Sequence, residues 1–178
     1  MRERRRDRWG VVAAGAALLL TAVTVSSALA GERAEEPVPV PTSEGVEGLE
    51  GLEIVEATPL PLGEEPPVEV AKAAGSTHAC LGATAVAGAE GCFQPYGDVI
   101  WVHDTKSDGR SAAVGVTTDY GRAGYVCIHS GGAGTWGTCN KNYKETGNVK
   151  LQVATYEKPT GRYFQPLAYS GWIPVDGQ

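Results

Sequence analysis

Apolar, β-branched and aromatic runs alternate with glycine-rich turns through the last hundred positions of this chain, and no stretch there combines helical spacing with caps. The pattern predicts strands over 98–104, 111–118, 124–129, 135–140, 148–157 and 162–172. Between them stand Ser107-Asp108-Gly109, Asp119-Tyr120-Gly121, the 130–134 run Ser-Gly-Gly-Ala-Gly, Thr146-Gly147-Asn148 and Lys158-Pro159-Thr160-Gly161. Asp-Gly and Pro-x-Gly between apolar runs are hairpin signals. Leu151, Val153 and Thr155 alternate with Lys150 and Gln152, which predicts a strand with one wet face. Val99-Ile100-Trp101-Val102 does not alternate, so this strand is expected at the centre of a sheet with both faces covered. Pro166 and Pro174 assign the last run to an edge. The Ala/Gly-rich piece 81–91 reads as a short strand and loop. Short connections favour an all-β fold, an antiparallel meander closed into a small sandwich or barrel.

The pattern ahead of position 78 is of another kind. Arg2, Arg4, Arg5, Arg6 and Arg8 precede an uncharged run from Trp9 to Leu29 that closes on Ala28-Leu29-Ala30. A basic start, an apolar stretch and an A-x-A site predict a secretory signal peptide over 1–30, hence a secreted protein. The alternative is an uncleaved anchor through 9–29 with the β domain outside, which is the one membrane association expected. Residues 31–77 carry eleven glutamates against Arg33 and Lys72, repeat Glu-Gly-Val-Glu-Gly-Leu at a period of three, and contain no aromatic residue. They are expected to form a disordered acidic linker, because such a segment cannot bury enough apolar surface to offset its conformational entropy. The domain proper is then 78–178.

Charge narrows the partners. The formal charge is −6, but from His78 onward acids and bases balance. Without a clustered positive surface, nucleic acid is not an expected partner.

Four cysteines, Cys80, Cys92, Cys127 and Cys139, follow the export signal. No C-x-x-C pair favours a metal, so two disulfides are expected. Three connectivities are possible, and the equal sequential intervals favour the local pairs Cys80–Cys92 and Cys127–Cys139. Each loop would contribute about 3 kcal/mol in the chain-entropy model, a useful sum for a small core.

Chemistry is harder to find. His103-Asp104 and His129-Ser130 hold the residue types of a hydrolytic triad, but neighbours on a strand point to opposite faces and no G-x-S-x-G surrounds a serine. Both histidines could instead meet a metal with Asp104 or Asp108. The run from Asp104 to Gly109 departs from a calcium loop at Lys106 and Gly115, where oxygen ligands belong. No cofactor or metal is expected. Aromatic residues are plentiful: Trp101 is expected inside, while Trp136, after the glycine-rich loop, Trp172, near the terminus, and Tyr120 are the expected ligand-binding residues.

The pattern Cys92-Phe-Gln-Pro-Tyr-Gly-Asp98, Trp101-Val102, Asp104, Asp108-Gly109-x-Ser111-Ala112, Gly121-Arg122 and Gly134-Thr-Trp-Gly-x-Cys139-Asn140 resembles a group of small exported bacterial β-domain proteins of uncharacterised function. The resemblance spans about 80–172. It implies export, disulfides and a β fold, and assigns no residue a role.

The leading expectation is therefore a secreted, monomeric, non-enzymatic module that binds a cell-envelope glycan or an extracellular protein. A small secreted hydrolase using His103 or His129 and a secreted enzyme inhibitor built on the 130–134 loop are the alternatives.

Overall fold

A computed structural model describes residues 48–67 and 78–178. The expected signal peptide or anchor over 1–30 lies outside the described residues, as do positions 31–47 and 68–77 of the expected linker.

Eleven strands occur among the described residues: β1 (Glu53–Glu56), β2 (Thr58–Pro59), β3 (Leu81–Val86), β4 (Ala89–Gln94), β5 (Val99–Asp104), β6 (Ser111–Thr118), β7 (Tyr125–His129), β8 (Thr135–Asn140), β9 (Asn148–Glu157), β10 (Arg162–Tyr169) and β11 (Ile173–Pro174). They form two sheets. One runs β1-β7-β6-β9-β10, with β11 also on β9; the other runs β2-β8-β5-β4-β3. Alternate residues of each sheet point inward and pack face to face: Phe93, Ile100 and Val102 from one, Val114, Val116, Val149, Leu151 and Val153 from the other. The fold is thus an all-β sandwich. Its meander is confined to β3-β4-β5; the β5–β6, β7–β8 and β8–β9 connections each pass from one sheet to the other. Non-alternating β5 is central and proline-bearing β10 is an edge, as the pattern requires. The 81–91 piece is not a strand and loop but most of a hairpin, β3 and β4, turning at Ala87-Gly88. Its small residues serve packing: a Cβ on Gly91 would lie 2.5 Å from Val114 Cγ2 of the opposite sheet.

Both disulfides take the sequential pairing, Cys80–Cys92 and Cys127–Cys139. Cys127 lies on β7 and Cys139 on β8, so the second bridge crosses the core and ties the two sheets together, with Cα atoms 6.1 Å apart. Disulfides of this kind belong to an oxidising compartment. Among the described residues no helix is long and apolar enough to cross a membrane.

The linker expectation is corrected over 48–67, which belong to the sandwich. β1 pairs with β7 in parallel, Glu53 opposite Tyr125 through Glu56 opposite Ile128. The chain then crosses at Ala57, whose N–H donates to Ile128 O at 2.8 Å, and β2 pairs antiparallel with β8. The segment succeeds despite its composition because Leu49, Leu52, Val55, Ala57 and Leu60 all pack against the sandwich. Leu49 is 1% exposed and its Cδ2 stands where a side chain on Gly115 would begin, 2.1 Å from that Cβ position. Leu52 packs beside it, and Glu53 and Glu56 pair with Lys141 and Lys158 at 3.6 and 3.5 Å. This cover also alters the wet face expected of β9. Lys150 remains half-exposed, while Gln152, Ala154 and Tyr156 are buried.

Leu49→Ala should lower unfolding free energy by about 3 kcal/mol, the range for emptying a buried leucine site, measured by chemical denaturation. Gly115→Val should disturb the same contact from the other side. A wild-type unfolding midpoint for either variant would show that the leading segment does not contribute to the fold.

Candidate functional site

Two places in the sandwich gather polar or aromatic side chains, at opposite ends of β6 and β9. The first lies where β5, β6, β7 and β8 meet the loops after β5 and β7. His129 ends β7 pointing between the sheets and is fully buried. Its Nε2 stands 2.8 Å from Thr135 Oγ1, and the Thr135 hydroxyl donates to Gly132 O at 2.6 Å. Nε2 therefore carries the ring proton, which leaves Nδ1 buried with no hydrogen-bond partner. Burial holds this imidazole below its usual pKa, opposed by the negative charges of Asp104 and Glu56 and assisted by His103. Asp104 is also buried; it accepts the Lys106 N–H at 3.0 Å, and burial raises its carboxyl above the ordinary value. A cavity of about 260 Å³ opens beside it, lined in part by Ser111, Ser130 and Arg110. The serine hydroxyls face each other at 3.3 Å, so Ser130 is bonded to Ser111 and His129 to Thr135.

His103 points the other way, to the outer face of the five-stranded sheet. It stacks on Trp136, with ring centroids 4.4 Å apart and planes 14° apart, and meets Glu90 at 3.5 Å. The two histidines are thus on opposite faces, and among the described residues no group of three or more His, Cys, Asp or Glu is placed to hold a metal ion.

Accessibility is corrected for Trp136, which is only 8% exposed. Register explains it: Trp136 pairs with His103 and lies on the same face as Trp101, against which its ring packs edge-on at 6.3 Å. Cys92 completes this cluster, with Leu60 from the leading segment laid over it. Trp101 is buried as expected, in this outer cluster, and its Nε1–H donates to Gln94 Oε1 at 3.0 Å. Tyr120 is half-buried; its hydroxyl accepts the Lys144 N–H at 3.1 Å, and its ring lies against Gly147. It braces the β8–β9 loop.

Trp172 is 53% exposed and belongs to the second place. Here β9 is flanked end to end by β10, where Tyr169 pairs with Gln152, and β11, where Ile173 pairs with Val149. Ser170 makes the junction. Its hydroxyl accepts the Leu151 N–H at 2.8 Å and donates to Gly171 O at 2.7 Å, while its own N–H donates to Leu151 O at 3.0 Å. This clamp buries Ser170 and leaves Tyr169 (52% exposed) and Trp172 on either side of Lys150. Lys150 Nζ lies 5.6 Å from the Tyr169 ring centroid and 6.0 Å from that of Trp172. A recess of about 210 Å³ between Lys150 and Tyr169 is lined further by Thr117, Leu151 and Gln152, and Gln152 Nε2 donates to the Tyr169 hydroxyl at 3.3 Å. The structure therefore joins Trp172 to neither Trp136 nor Tyr120, and joins it instead to Tyr169 and Lys150. The sequence signal for Lys150 was its outward place in the β9 alternation; Tyr169 had none beyond being aromatic.

Comparison with protein-family models, with curated proteins and with solved structures finds no match to this chain.

The buried histidine yields a pH dependence. His129 binds its proton more weakly in the folded state than its ordinary value of 6.5 allows, so the unfolded chain is protonated first. Its contribution to stability is complete above about pH 6.5 and is lost as pH falls from there toward the folded value. Asp104, displaced upward, acts oppositely, in a window starting from 3.8. Denaturation midpoints should fall on acidification from about pH 6.5, and His129→Leu should flatten that limb; an unchanged slope would place the titrating group elsewhere.

Proposed function

We propose that this protein is an exported, non-enzymatic binding module that holds a cell-envelope glycan on the surface formed by Tyr169, Trp172 and Lys150. The observation that carries the reading is the paired exposure of two aromatic rings on one side of a clamped strand junction. Large aromatic side chains are usually buried, and here Ser170 holds two of them outward around a polar centre. A ring pair with a few placed polar groups suits the apolar face of a pyranose, with Lys150 and Thr117 near its hydroxyls. Export is part of the same reading and agrees with the oxidising compartment that the two disulfides require.

The hydrolase alternative draws less support. His129 has no exposed surface and is bonded to Thr135, and His103 is stacked on Trp136. The inhibitor alternative needs an anchoring side chain, and the 130–134 loop offers nothing larger than Ala133 beyond Ser130.

The test is retention of the purified, oxidised protein on insoluble cell-wall polysaccharide, and separately of culture-supernatant proteins on the immobilised protein. Retention on polysaccharide, reduced at least about tenfold by Trp172→Ala or Tyr169→Ala with the unfolding midpoint unchanged, is the expected result. Capture of one defined protein with no polysaccharide retention would replace the glycan by a protein partner. Retention of neither would remove the binding reading.

A further inference from the structure

Resting on that reading, we infer that the ligand is an acidic glycan, whose carboxylate sits on Lys150 Nζ while its pyranose face lies on Trp172 and Tyr169. Three features of the site carry this. First, the ammonium is held between two exposed rings, at 5.6 and 6.0 Å from their centroids, so a cation stands at the centre of the stacking surface. A neutral sugar needs only the rings.

Second, the charge of Lys150 is uncommitted. Lys106, Lys141 and Lys158 each face a carboxylate, on Asp108, Glu53 and Glu56. Among the described residues Lys150 has no carboxylate partner, and the rings beside it attract the ammonium without neutralising it. An incoming carboxylate therefore displaces no existing ion pair. Third, the strand positions the charge. Lys150 lies between Val149 and Leu151, both fully buried, and Thr117 faces it across the β6–β9 ladder, so the stem emerges from a rigid base. The recess beside it is bordered by Thr117, whose exposed side chain is suited to a hydroxyl adjoining a sugar carboxylate.

Bulk charge does not supply the attraction. The chain carries a formal charge of −6, which repels a polyanion, so binding of one has to come from a local cation.

The experiment is a fluorescence titration of the purified protein, which carries an exposed Trp172, with oligogalacturonate and with its methyl-esterified form. The two share a backbone and differ in charge. Oligogalacturonate should bind more tightly than the ester, and added salt should weaken it alone. Lys150→Gln should weaken oligogalacturonate about threefold to fivefold, the range of an exposed ion pair, and should remove its advantage over the ester. Lys158→Gln, which removes the same charge elsewhere, should change neither. Equal affinity for both forms, binding of the ester or another neutral glycan alone, or a Lys150→Gln variant indistinguishable from wild type would overturn the acidic-glycan inference and leave the glycan-binding reading in place. No binding of either form, together with no retention on any polysaccharide, would overturn both. An unchanged unfolding midpoint for Lys150→Gln excludes misfolding as the cause of its loss.

Discussion

Strands β7 and β8 each end a main run of pairing with backbone donors and acceptors turned outward, and both edges are closed by the same short segment, residues 53–59. An uncovered strand edge is a template for association with other chains. Here the remedy is supplied in cis by a stretch that pairs first with one sheet and then with the other. Much else follows from its path. Gly115 lacks a side chain because Leu49 needs the space, and Gly137 because the His129 ring and Ala57 do. Lys141 and Lys158 stand opposite the glutamates that come with the strand. His129 fills the gap between the sheets beneath the crossing point, beside Gly137 and Ala57, with no carbonyl or hydroxyl left for its second nitrogen.

The strands from position 99 onward could be read locally because their determinants are local. β6, β8 and β9 begin and end at the residues that alternation and turn chemistry indicate, and the cysteines pair by the shortest intervals. The leading segment could not be read that way. Its glutamates, glycines and prolines look like a solvated chain, and the two leucines that dock it fit sockets made by glycines more than sixty positions later. Nothing within the segment encodes those sockets. Hairpin β3–β4 escaped for a related reason: alanine and glycine weaken the strand signal, while at Gly91 the missing side chain is what lets the facing sheet approach.

The proposed binding surface was legible in one residue of three. Trp172 lies near the terminus, a position where exposure can be expected. Tyr169 and Lys150 meet it only because Ser170 substitutes its hydroxyl for a ladder acceptor and turns the chain between two short pairings. Trp136 illustrates the reverse. Its glycine-rich approach suggests exposure, but its cross-strand neighbour is His103 and its same-face neighbour Trp101, and those pairings are set by register between distant strands. An aromatic residue's fate in a sandwich depends on which face it shares, and a single strand reveals parity without revealing what lies above it.

The parallel pairing of β1 with β7 has a mechanical side. A pull on the chain ahead of Leu49 along the axis of β1 would draw that strand lengthwise against its partner, loading its hydrogen bonds together in shear instead of opening them one at a time. The Leu49 and Leu52 contacts would take up the strain first. Beyond the ladder, tension entering β7 would reach Cys127 and pass through a covalent bond to Cys139 on the other sheet, so both layers would share the force.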